Sequence, residues 1–257
     1  MDPGRTVAFA NQKGGVGKTT TLLNLAAALA EKGHYPLLVD LDPQANLTSG
    51  VGVDPYAPGY SVADLLMEKG VSMSEVIIPC SLPGVKIAPA KQELANFDIR
   101  VADRRGRENL LFERIRESGE EEDFVFVDCP PSLNLLTVNA LTAARWVIIP
   151  VQCYYYSLNG LRALEGTIRD IRDVYNPDLG ILGVLATACE TGTHIAQTVT
   201  RELEDRFGEL LFRTVIRKSV RVAEAPMYGR SLLGYSPSHD VSHAYRELAG
   251  EFLARLR

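Results

Sequence analysis

The chain has 257 residues, 46% of them apolar and 23% charged, with a formal net charge of −5. These proportions suit a globular protein with a sizeable core and exclude a uniformly basic, nucleic-acid-coating chain, although an acidic total still permits a local basic patch. No run of 18 apolar residues occurs, so no transmembrane helix is expected, and residues 1–5 lead straight into a strand without an apolar segment of signal-peptide type.

Residues 6–10 read as a buried strand, followed by a glycine-rich loop and a helix over residues 19–32. Leu22, Leu25, Ala26 and Leu29 give that helix one apolar face. Pro36–Asp40, PLLVD, is a second buried strand. The stretch 51–119 is less regular, with Ser61 as the cap of a helix that begins Val62-Ala63-Asp64. Residues 117–123 are an acidic run, read as a solvated connection. Phe124–Asp128, FVFVD, is a third strand, and residues 146–151 and 181–187 supply two more. Helical patterns cover residues 135–144, 157–174 and 193–207.

Near-continuous apolar strands separated by helices predict an α/β fold. The expected architecture is a single domain over 1–257, with a twisted, mostly parallel sheet and helices on both faces. Cys80, Cys129, Cys153 and Cys189 form no CxxC pair and are expected as buried thiols in a reducing compartment.

The loop reads Gln12-Lys13-Gly14-Gly15-Val16-Gly17-Lys18-Thr19-Thr20. A P-loop is GxxxxGK[ST]; here Gly17-Lys18-Thr19 supplies its end, while Gln12 holds the first glycine position. Backbone N–H groups of Gly14, Gly15, Val16 and Gly17 can wrap a phosphate, and the following helix points its N-terminus at the same anion. Lys18 would reach the β- and γ-phosphates of ATP, and the Thr19 hydroxyl would ligate Mg2+. Asp128 ends FVFVD where a P-loop protein places its magnesium-holding acid. Asp40 and Asp42 end LLVDLDPQ, where a carboxylate can orient or deprotonate water. A lone strand-end Asp is as readily a cap or turn former; three beside a P-loop favour chemistry.

The motifs ANQKGGVGKTTT, LLVDLDPQANLTSG, VFVDCPPSLNLLTVNAL, IIPVQCYYYSLNGL and RVAEAPMYG together resemble the small ParA/Soj partition ATPases, of the deviant-Walker class that also includes MinD. The resemblance covers essentially the whole chain. It implies a slow, partner-stimulated ATPase that forms an ATP-bridged homodimer in the cytoplasm, on the nucleoid. Lys13 takes the signature-lysine position, which crosses to the partner's nucleotide, and Asp42 takes that of the water-activating carboxylate. Gly14 to Thr20 cradle the nucleotide. Arg217-Lys218-Ser219 aligns with a Pro-Arg-Asn segment that lines adenine, which leaves Arg217 and Ser219 to contact the base through their backbone.

The resemblance also implies non-specific binding to double-stranded DNA and a ParB-like activator. Two arginines of the family's DNA loop are Gly192 and Gln197 here, so the expected DNA contacts pass to Arg213, Arg217, Lys218 and Arg221, with Arg230 nearby. A second basic cluster comprises Arg100, Arg104, Arg105 and Arg107; either cluster could instead be a solvated face. Val241, Tyr245, Leu248, Phe252 and Leu256 line one face of the last helix, read as core rather than membrane anchor. The alternative function is a MinD-like or other cargo-positioning ATPase that does not act on DNA.

Overall fold

The computed structural model describes residues 5–118, 122–154, 160–190 and 192–256. Seven strands form one sheet: β1 (Thr6–Phe9), β2 (Pro36–Asp40), β3 (Ile78–Pro79), β4 (Lys86–Ala88), β5 (Phe124–Asp128), β6 (Trp146–Gln152) and β7 (Gly180–Thr187). Their order is β3-β4-β2-β5-β1-β6-β7. Every pairing is parallel except β3 with β4. The glycine-rich loop therefore leaves a central strand, with β5 on one side and β6 on the other.

The helices are α1 (Lys18–Ala30), α2 (Asn46–Gly50), α3 (Val62–Met67), α4 (Met73–Val76), α5 (Phe97–Arg100) and α6 (Leu110–Glu117). They continue with α7 (Leu135–Ala143), α8 (Leu161–Val174), α9 (His194–Phe207), α10 (Val220–Glu224), α11 (Leu232–Tyr235) and α12 (Asp240–Arg255).

Successive strand side chains enter opposite cores, as a pleat dictates. Val7 and Phe9 of β1, Leu38 of β2, and Phe124 and Phe126 of β5 join Leu22, Leu25 and Leu29 of α1 and Phe252 of α12. Ala8, Leu37, Val39, Val125 and Val127 join the opposite core with α3, α7, α8 and α9. Phe252 meets Phe124 and Phe126 edge-on, at centroid distances of 5.2 and 5.6 Å. Helix α1 is buried beyond its expected single face, since Leu23, Ala27 and Ala28 are covered as well. The reason is position: α1 is packed by the sheet, α12, α2 and α11 together.

Val241, Tyr245, Leu248 and Phe252 of α12 are buried in that core and Leu256 packs against it, as the core reading expects. Arg255 is spent on the carbonyls of Leu182, Leu210 and Leu211. Among the described residues no helix is long and apolar enough to cross a membrane.

The irregular middle stretch contributes β3 and β4, strands of two and three residues whose shortness hides them from periodicity. Ser61 does cap α3, in a reciprocal box with Asp64. Part of the acidic run lies outside the described residues. Its member Glu122 is not solvated but buried, 3.0 Å from the Lys86 ammonium on strand β4. The start of the helix predicted at residue 157 also lies outside the described residues, as do 155 and 156 of the tyrosine motif and 191 of the loop before α9.

The expectation of four unpaired thiols is corrected. Cys153 and Cys189 form a disulfide, with Cα atoms 4.9 Å apart and a sequence separation of 36. Cys80 and Cys129 are free, and Cys129 is buried.

Candidate nucleotide site

The loop from β1 into α1 is held from several directions. Asn11 donates its amide to the Pro150 carbonyl on β6 at 2.8 Å and accepts the Lys13 N–H on its Oδ1 at 3.0 Å. Gln12 donates to the Gly160 carbonyl at 2.8 Å. Thr187, the last residue of β7, donates its hydroxyl to the Val16 carbonyl at 2.7 Å. Gly15 and Gly17 have φ of 73° and 88°, left-handed values that side chains resist. Gly17 is also the cap of α1 and offers no side chain to its first N–H groups. These groups stay free to meet an anion.

Lys18 opens α1 and is only 7% exposed. Its ammonium lies 3.4 Å from the Lys13 carbonyl, folded back over the loop. Lys13 is half-buried, and so is Thr20 on the first turn. Thr19 donates its hydroxyl to Asp128 Oδ2 at 2.6 Å. Asp128 is fully buried at the end of β5, and its Oδ1 has no hydrogen-bond partner. Burial drives its pKa well above the usual carboxylate range; the Asp40 charge adds to this, while the Thr19 hydroxyl and Lys18 pull it back. A buried carboxylate oxygen left without a donor, beside a hydroxyl oxygen, is what a hard divalent cation satisfies. Thr19 and Asp128 therefore fit as its holders.

Asp40 stands beside Asp128 in register across β2 and β5. Its carboxylate accepts from the Asp42 N–H at 3.1 Å, the Thr48 N–H at 2.9 Å and the Thr48 hydroxyl at 2.7 Å. Thr48 in turn accepts the Ala90 N–H at 2.9 Å. Asp40 is thus committed to shaping the Asp42–Thr48 turn, and burial pushes its pKa up to about 6. Asp42 is 8% exposed and accepts the Gln44 N–H at 3.0 Å on Oδ1. Of the two acids, Asp42 is the one free to face a water molecule.

Lys18, Thr19, Asp40, Asp42 and Asp128 converge at the carboxyl ends of β1, β2 and β5. Arg217 and Ser219 lie on a segment that runs beside Cys189, two residues past the end of β7, where Arg217 pairs with Cys189. The Cys189 N–H donates to the Ile216 carbonyl and the Lys218 N–H to the Cys189 carbonyl, both at 3.1 Å. Ser219 caps α10, and its hydroxyl is 3.3 Å from His239 Nε2. Asn11, Thr48 and Thr187 carry supporting roles that sequence reasoning missed. Asn11 opens the run that leads into the glycines, but Thr187 is 171 residues from Val16 and carries no local signal.

Arg213, Arg217, Lys218, Arg221 and Arg230 are all at least partly exposed. The Lys218 ammonium is 2.6 Å from the Glu190 carboxylate, which offsets part of the patch. The second cluster is mostly consumed internally. Arg100 pairs with Glu68 at 3.0 Å, Arg104 donates to the carbonyls of Leu66 and Met67, and Arg107 to that of Ala102.

A family model described as an AAA domain matches residues 4–181. The chain is 43% identical over 253 residues to the chromosome-partitioning ATPase Soj of Thermus thermophilus, covering 98% of this chain and 97% of that one. It is 40% identical over 251 residues to the sporulation initiation inhibitor protein Soj of Bacillus subtilis, covering 98% and 99%. Among solved structures, cobyrinic acid a,c-diamide synthase from Mycobacterium smegmatis with bound ADP and magnesium superposes with a TM-score of 0.85, at 36% identity over 97% of this chain and 94% of that one.

Proposed function

The chain belongs to the family of ParA/Soj-type P-loop partition ATPases, and on that footing we propose that it is a nucleotide-switched, DNA-positioning ATPase. The loop N–H groups of Gly14 to Gly17 and the Lys18 ammonium take the phosphates of ATP, with Thr20 on the same turn. Thr19 and Asp128 would hold magnesium, which would supply positive charge against the phosphates. Asp42 orients the attacking water, held in place by the turn that Asp40 and Thr48 build. Arg217 and Ser219 meet the adenine through their backbone.

Lys13 extends to the nucleotide of a second copy, so ATP bridges a homodimer and hydrolysis releases it. Charge explains the demand: two subunits closing over one γ-phosphate each need a second cation there. The dimer presents Arg213, Arg217, Lys218 and Arg221 twice, and these cations take DNA phosphates without reading sequence. A ParB-like partner stimulates turnover, and the cargo is a chromosome or plasmid. The observation that carries this reading is the Thr19–Asp128 contact with its unpartnered second oxygen, set beside a buried lysine at a helix N-terminus. A DNA shift assay with ATP, ADP and no nucleotide tests it. The reading expects a shift with ATP alone; protein that dimerises with ATP and never shifts DNA would point to a cargo other than DNA.

A further inference from the structure

Cys153 and Cys189 occupy a particular place between the two halves of the nucleotide site. The parallel register of β6 and β7 ends at Gln152↔Thr187, and the Cys153 N–H donates to the Thr187 carbonyl at 2.9 Å. Ala188 then takes a left-handed φ of 48°, rare for a residue with a side chain, and this reversal sets Cys189 across from Cys153. The Cα separation of 4.9 Å lies within disulfide range.

Each neighbour of the pair has a second task. Thr187 supports the Val16 carbonyl of the phosphate loop. Cys189 holds the 216–218 segment through both its backbone groups. The Lys218 ammonium meets Glu190 and Tyr154, the residues that follow the two cysteines. Cys153 and Cys189 are 4% and 6% exposed, and Tyr154 and Glu190 are exposed.

We propose that Cys153 and Cys189 are a reversible thiol–disulfide site whose state sets the position of the 216–219 segment against the phosphate loop, and so the affinity for nucleotide. The reaction partner is a small disulfide. One cysteine thiolate attacks a sulfur of that disulfide and expels a thiol as a mixed disulfide forms. The other cysteine then displaces the second thiol, closing Cys153–Cys189. Two protein thiols lose two electrons and two protons, and the small disulfide gains both as two thiols. Reduction removes the tether between the two chain ends that leave β6 and β7, which frees the Cys189 backbone, with its bonds to residues 216–218, and the neighbouring Thr187 to shift. In a reducing compartment a disulfide of this kind is transient rather than structural. The affinity half of this proposal rests on the nucleotide reading; the thiol half does not.

The test uses the whole protein incubated with oxidised glutathione or with dithiothreitol, then unfolded and alkylated. Mass spectrometry counts free thiols and maps the linked peptides. Two alkylated cysteines, Cys80 and Cys129, are expected after oxidation and four after reduction. Fluorescent ATP titration on the same samples is expected to show at least threefold weaker binding in the reduced form, restored on reoxidation. The pair Cys153→Ser with Cys189→Ser should bind ATP with one affinity under both conditions; since the wild-type comparison stands by itself, a variant that fails to fold costs the test nothing. Four alkylated cysteines after oxidation would overturn the site. A linked pair with identical affinity in both states would overturn the coupling.

Discussion

The Thr19 hydroxyl donates to Asp128 Oδ2 across 2.6 Å, and the other oxygen of that carboxylate is buried without a partner. One residue comes from the first turn of α1 and the other from the end of β5, 109 positions later. Their contact leaves one buried, strong acceptor without a donor.

Asp128→Asn separates the metal role from a structural one. The folded-state pKa of Asp128 is raised above its unfolded value, so ionising it costs stability as pH rises past the ordinary carboxylate range. Asparagine removes that cost and still accepts from Thr19. Without magnesium the variant should melt above the parent at neutral pH. Its magnesium-dependent ATP affinity should fall at least tenfold, about 1.4 kcal/mol. A lower melting temperature together with unchanged affinity would remove the cation from this site.

Lys18→Ala should abolish ATP binding. Charge-assisted hydrogen bonds from the lysine contribute roughly 1.5–3 kcal/mol each, and the side chain is already folded over the loop. Fluorescent ATP titration reads the result directly; parent-like affinity would move the phosphates elsewhere.

Arg217→Glu combined with Lys218→Glu should remove DNA binding while ATP-dependent dimerisation persists. Removing one cation from a DNA phosphate lowers the log–log salt slope by about one per site. Lys218 already faces Glu190, so Arg217 should account for more of the change. A double variant with the parent's salt slope would put the DNA surface elsewhere.

The strand–helix alternation, the Gly-Lys-Thr loop and the strand-end acids were legible because each is local. FVFVD and PLLVD announce buried strands, and Gly17-Lys18-Thr19 follows a third, over residues 6–10. Distant contacts left no such mark. Thr187 supporting Val16, Asp40 committed to Thr48, and Cys153 reaching Cys189 all depend on which strands and turns become neighbours. Strands β3 and β4 escaped because two or three residues cannot show a period. Glu122 reads as solvated because its partner Lys86 lies on one of those strands, 36 residues away.

The clasp between α1 and α12 gives a pH prediction. Arg246 grips Glu31 with two hydrogen bonds, at 2.6 and 2.9 Å, and this contact holds the Glu31 pKa below the ordinary glutamate range. A depressed carboxylate contributes its stability above the unfolded pKa and loses it as pH falls through the folded one. The pair is partly exposed, so its contribution is at most about 1 kcal/mol. Glu31→Gln should therefore unfold at slightly lower urea concentration near neutral pH and match the parent in acid, well below 4.5. A deficit that persists in acid would mean that packing, not charge, is what the substitution disturbs.

If ATP closes two copies of this chain and Asp42 opens them again, an Asp42 variant should be trapped in the closed state. Light scattering of Asp42→Ala with ATP and with ADP, beside the parent protein, reads this. The variant should show a stable doubling of mass with ATP, monomer with ADP, and phosphate release close to zero. A variant that stays monomeric with its ATP site filled, or that turns over ATP like the parent, would rule out this role for Asp42.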